Sequence, residues 1–326
     1  MKRLWNYLSI SLVYGFLFMG CSKNFNVPAS PQASIDQTPL SVSAPGNPLV
    51  YLTQWGSAGA QNGQLGGPYG IASDSKGNLY VADRGNCRVQ KFDGAGNYIK
   101  QWGTYGPGSG NFVTLSGICV DSTDHVYTVD EGLDNVQKFN SDGTFITQWG
   151  TPGKGQGAFN GPRGITADPS DNICVVDAVN QNIQKFTNNG TFLTGWSTKG
   201  YWDKSTSDPD GIACDPSGNV YTPDFNNYCV YKYSGTGKYL LTIGKPGNGP
   251  GQFGTLSCGI CVDLNGIVYV ADYTNRRIED FTVNGVYLCQ WGNTGSKALG
   301  PFDYFTLSPS GKAYVVDNNT IKVFGP

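Results

Sequence analysis

Six aspartates, Asp83, Asp130, Asp177, Asp224, Asp272 and Asp317, recur at steps of 47, 47, 47, 48 and 45 residues, each closing a short apolar run. Self-similarity at a fixed period of this size marks an internal repeat.

Within one period lie Gly70-Ile71-Ala72 to Asp74, a Gly-Asn turn, Leu79 to Asp83, Val89 to Phe92, a second Gly turn, and Tyr98 to Gly103. The apolar runs are rich in Val, Ile, Tyr and Phe and are bounded by the residues that tight hairpins require, which predicts four short strands per unit. No run is long enough for an amphipathic helix, so a parallel βαβ arrangement does not fit. Gly70, Gly117, Gly164, Gly211 and Gly259 keep the same beat, with Tyr304 near the sixth place. So do Trp55, Trp102, Trp149, Trp196 and Trp291, with Ile243 filling the gap.

The last unit stops at Ile321-Lys322-Val323-Phe324, a third-strand pattern, while Leu49 to Gly56 carries a fourth-strand pattern with nothing ahead of it. If the N-terminal strand completes the C-terminal sheet, five whole sheets and one split sheet result. Radial closure then protects the edge strands that a linear stack would expose. The expected fold is all-β: a six-bladed β-propeller with four antiparallel strands per blade, its last blade completed by the N-terminal strand.

Units such as Gly-Ile-Ala-x-Asp, Gly-Asn-Leu-Tyr-Val-Ala-Asp and Asn-x-Arg-Val-Gln-Lys-Phe resemble the NHL-repeat family of propellers over residues 49–326. The resemblance speaks for fold; one propeller fold hosts unrelated activities. The chain departs from the family in lacking the Asn-His-Leu triplet. A basic residue opens the third strand as Arg88 and Arg276-Arg277, but Asn135 and Asn182 stand in that neighbourhood in the second and third units.

Residues 1–20 read as a secretory signal, with Lys2 and Arg3 ahead of an apolar stretch and Gly20 before the cut. Because Cys21 follows, Leu17 to Cys21 resembles the lipobox of a bacterial lipoprotein, which implies lipidation of Cys21. Phe18 and Met19 depart from the small aliphatic residues usual there. Residues 21–48, dense in Ser, Pro, Gln, Ala and Asn, form a tether. The expected address is the bacterial cell envelope, lipid-anchored at the outer membrane or cell surface.

With 22 basic and 24 acidic residues the net charge is −2, which leaves no electrostatic footprint for nucleic acid. The cysteines beyond Cys21 are expected to act mainly as small buried hydrophobes. A bridge between Cys174 and Cys214 on adjacent blades is the one pairing considered.

A residue present in every unit serves the unit, so the aspartates, tryptophans and glycines belong to the scaffold. Function is expected where the repeat leaves positions free. The loop before the first strand and the turn between the second and third strands emerge on one face. There the residues before the anchors are Tyr69, Ser116, Arg163, Asp210, Cys258 and Asp303, and those after the aspartates are Arg84, Glu131, Ala178, Phe225, Tyr273 and Asn318. The irregular segment Tyr201 to Asp210 adds Trp202. The candidate ligand face is therefore Tyr69, Arg84, Ser116, Glu131, Arg163, Trp202, Asp210, Phe225, Tyr273 and Asp303, with aromatics and charges of both signs as in a concave site.

Propeller lyases that look similar rely on channel histidines, whereas this chain has the single His125, in a turn on the opposite face. Gluconolactonase-like propellers hold calcium through carboxylate and amide oxygens, and Asp210 and Asp303 are the residues here that resemble such donors. The leading expectation is a non-enzymatic, monomeric recognition propeller that binds a protein, peptide or glycan, with no catalytic residue, metal or cofactor. The alternative is a calcium-dependent lactonase or esterase, or a lyase-like enzyme.

Overall fold

In Leu79–Asp83 all five residues are buried, because successive side chains point to opposite faces and each face meets a neighbouring sheet. Leu79 and Val81 pack with Ile71, Tyr314, Val316, Ile321 and Val323 on one side. Tyr80 and Ala82 pack with Leu115, Ile118, Val126 and Phe139 on the other. A strand apolar on both faces has to be sandwiched between sheets, and repetition of that pattern produces the ring.

The computed structural model describes residues 46–198, 208–295 and 297–326. Six four-stranded antiparallel sheets are present. Blade one comprises Ile71–Ser73, Leu79–Asp83, Arg88–Phe92 and Tyr98–Trp102. Blades two to five follow the same order, with outer strands Phe145–Trp149, Phe192–Ser197, Tyr239–Ile243 and Tyr287–Trp291. Blade six joins Phe305–Leu307, Ala313–Asp317 and Thr320–Gly325 to the N-terminal strand Val50–Trp55. The first strands of successive blades touch around a full circle, blade six meeting blade one. The molecule is thus a closed six-bladed β-propeller whose ends share one sheet.

The recurring tryptophans bind one blade to the next. The Trp102 indole lies against Gly143 in blade two, whose φ is +85° and where an added Cβ would sit 2.5 Å from the ring. Only glycine meets both demands. Gly96 on Trp55, Gly190 on Trp149 and Gly237 on Trp196 repeat the contact.

The repeated aspartates are structural, and they reach further than the turn that follows them. Asp130 accepts from the amides of Gly132 and Leu133 in that turn, but also from Val113 and Thr114 in the preceding loop. Asp83, Asp177 and Asp272 likewise hold the loop amides of Gly66, Asn160 and Gly254. Each carboxylate therefore pins the loop that carries the channel-mouth residues. All eight ring cysteines are free thiols in the structure, Cys174 and Cys214 included.

Candidate functional site

The loops pinned by the aspartates bring four of the free positions into an ionic chain that crosses four blades. Arg84 of blade one donates to Glu131 of blade two at 3.0 Å. The other Glu131 oxygen lies 3.4 Å from Arg163 of blade three. Arg163 then pairs with Asp210 of blade four, and Asp208 stands 3.7 Å away. Burial works against the charge on Arg163, but Asp210 and Glu131 outweigh it and hold its pKa above the ordinary value.

Blades five and six supply different chemistry. The Tyr69 hydroxyl is 3.2 Å from the Cys258 thiol, its ring is 4.9 Å from Tyr304, and the Arg84 guanidinium lies 4.9 Å over its face. Burial pushes the Cys258 thiol up, and nearby Asp210 adds to the effect. The thiolate that a nucleophile would need is therefore disfavoured. Burial and then Asp210 also raise the pKa of Asp303, while Arg84 partly offsets them. The mouth carries Asp208, Asp210, Asp303 and Glu131 against Arg84 and Arg163, an excess of carboxylates over guanidiniums that favours a basic visitor.

Ser116 is not available to a ligand: it is fully buried, and its single hydroxyl proton lies between the backbone carbonyls of Val129 and Pro162, 3.2 and 3.3 Å away. Phe225 and Tyr273 are solvent-facing, 41% and 36% exposed, outside the ionic chain. Val179, 60% exposed, continues them onto blade three, so three successive blades present apolar groups beside the charged arc. Sequence reasoning omitted Val179 because it lies one residue beyond the position compared between units. It placed Cys258 at the mouth and Tyr304 near the sixth anchor but kept both out of the candidate face, because their contacts with Tyr69 join residues about 190 and 235 positions apart in sequence. Trp202 and Cys21 lie outside the described residues. His125 sits on the opposite face, 3.2 Å from Asp121 and 2.7 Å from the Thr123 hydroxyl.

The ring and its loops define a closed six-bladed β-propeller. The NHL-repeat family profile matches residues 65–92 and 159–186, the loop and first three strands of blades one and three. No curated protein matches the chain. Among solved structures, a protein of unknown function from Bacteroides thetaiotaomicron superposes with TM-score 0.64 at 17% identity, over 84% of this chain and 76% of that one. A gluconolactonase from Xanthomonas campestris gives 0.59 at 13% identity, over 86% and 98%. A catalytically inactive His-to-Ala variant of virginiamycin B lyase from Staphylococcus aureus, solved with quinupristin, gives 0.59 at 14% identity, over 85% and 87%. At such identities the likeness is one of fold.

Proposed function

We propose that the protein is a recognition propeller, tethered to the cell envelope through a lipid on Cys21, that binds a protein, peptide or glycan on the face bearing the ionic chain. The observation that carries this reading is the pairing of an apolar arc, Val179, Phe225 and Tyr273 on successive blades, with a charged arc already neutralised in large part by its own partners. Exposed aromatics beside a rigid polar rim suit docking of a partner.

Catalysis has less support. The one histidine is on the far face, Cys258 is held as a thiol, and Asp210, a donor the lactonase reading needs, is engaged by Arg163. Among the described residues no three His, Cys, Asp or Glu side chains converge as metal ligands.

Envelope proteins retained by the immobilised chain should include a partner whose recovery falls about tenfold or more on Phe225→Ala with Tyr273→Ala, the effect of losing central aromatic contacts. Identical recovery on both would overturn the face assignment. The anchor is tested separately. Cells fed a clickable palmitate should label the full chain but not its Cys21→Ser variant; equal labelling of the two would remove the tether.

A further inference from the structure

Three residues before each repeated aspartate stands a tyrosine, Tyr80, Tyr127, Tyr221, Tyr269 or Tyr314, except in blade three, which has Cys174. These tyrosines face the following blade. Tyr80, Tyr127 and Tyr314 donate to the carbonyls of Ser141, Asn188 and Gly94 there, at 3.3, 3.4 and 3.0 Å. The side chain met on that blade is the one that ends its first strand. Tyr80 packs in one cluster with Val120, Tyr127 with Ala167, Tyr221 with Val262 and Tyr269 with Leu307. By the same geometry Cys174 shares a cluster with Cys214, together with Ile212 and Val220. The interface that loses its tyrosine is the one that places a cysteine opposite.

Space filling alone does not explain the pair. A cysteine in place of a tyrosine ring calls for a larger neighbour, yet Cys214 is smaller than Val120, Val262 or Leu307. The polar surroundings are rebuilt as well. In blades one, two and four a lysine lies over the tyrosine ring, and the tyrosine hydroxyl donates to Asp74, Asp121 or Asp215. In blade three Lys185 reaches Asp168 itself at 2.6 Å, against 3.6 and 3.5 Å for Lys91 to Asp74 and Lys232 to Asp215. The two thiols are left to each other. Cys214 donates toward Cys174, and this bond together with burial pushes its thiol up. Cys174 is fully buried, whereas Cys214 also lines the channel, a cavity of about 250 Å³.

We propose that Cys174 and Cys214 are the site of a disulfide that fastens blade three to blade four when the chain folds in the presence of a disulfide donor, either a small-molecule disulfide or a disulfide oxidoreductase. The dithiol described above is its reduced form. Cys214 attacks the donor and breaks its S–S bond; a mixed disulfide forms and one donor thiol leaves. Cys174 then attacks the Cys214 sulfur and expels the second donor thiol, so that two electrons and two protons pass to the donor. Because packing disfavours the Cys214 thiolate, the exchange belongs to the stage at which blade four docks on blade three. Cys229 does not compete for Cys214, since the two lie on the third and first strands of one sheet, about 9–10 Å apart and beyond bridging reach. The loop so closed contains Asp208 and Asp210, which the bond braces without taking part in what binds at the mouth.

The full chain would be refolded with oxidised and reduced glutathione, alkylated, digested without reductant and mapped by mass spectrometry. A peptide linked through Cys174 and Cys214 is expected, with a melting temperature about 5 °C or more above that of the chain refolded in dithiothreitol. Cys174→Ser and Cys214→Ser should each abolish both the link and the redox-dependent shift. If either fails to fold, Cys174→Tyr, which restores the residue of the other five blades, serves in its place. Alkylation of both thiols after refolding with the donor, linkage of either to another cysteine such as Cys119, or identical melting temperatures with and without the bond would each overturn the proposal.

Discussion

Deleting residues 49–56 is expected to abolish the single cooperative unfolding transition of the ring. Val50–Trp55 forms the outer strand of blade six, in register from Val50 opposite Gly325 to Trp55 opposite Ile321. Leu49, 5% exposed, packs into the cluster that holds Trp291, Phe302 and Phe324. Trp55 crosses to blade one, its ring 4.7 Å from Phe92. Losing the burial of Leu49 and Trp55 alone costs about 5 kcal/mol or more, comparable with the whole net stability of many domains. Denaturant titration followed by tryptophan fluorescence and circular dichroism checks this. A broad, non-coincident melt is expected, partly restored by the 49–56 peptide added in trans, whereas an unchanged midpoint would show that the ring does not depend on its joint.

Blade five should make the protein less stable as pH rises from the acid range toward neutrality. Blades one to three carry Gln-Lys at the centre of the third strand, as Gln90-Lys91, Gln137-Lys138 and Gln184-Lys185, where blade five has Glu279-Asp280. Gln90 accepts from the Gly63 amide and donates to the Gln64 carbonyl and Asp83. Glu279 keeps the acceptor half, toward Gly251, but its other oxygen is buried without a partner, although Arg277 lies 3.3 Å from the first. Burial pushes the Glu279 carboxyl up to about 7. Burial also pushes Asp280 up to about 7, although Trp291 and Cys289 donate to it.

Both groups hold their protons more tightly folded than unfolded. Stability is therefore complete below the unfolded carboxyl range, falls as pH climbs from about 4 to about 7, and levels off above, by on the order of 3 kcal/mol for each group. Asp121, Asp168 and Asp215, whose hydrogen bonds outweigh burial and lower their pKa values, act in the opposite sense and only in more acid solution. Comparing chemical denaturation of the wild type with Glu279→Gln, Asp280→Asn over this window isolates the effect. The variant should be the more stable at neutral pH and show a flatter profile; two parallel profiles would refute the assignment.

The ring was legible because its cause is periodic: glycines and aspartates at one beat, a half-unit at each end, and alternation within every strand. The candidate face was legible only as columns of varied residues. Arg84 and Glu131 are one period apart, as are Arg163 and Asp210, yet which neighbours touch depends on how far adjacent blades rotate, and no local pattern states that. Ser116 illustrates the limit: its place in the column suggested exposure, whereas its hydroxyl is consumed by carbonyls of the next blade. The Glu279-Asp280 exchange and the missing arginine of blade three were visible in the same columns. The sequence shows that such positions deviate, but their meaning depends on the groups that the fold places around them.

The shared sheet also orders events during synthesis. Because Val50–Trp55 pairs with Thr320–Gly325, the earliest ribbon of the ring to leave the ribosome is the last to find its partner, and waits while five sheets are made. Until translation ends the nascent molecule has two open flanks, and a chaperone or a neighbouring copy able to occupy either one competes directly with maturation.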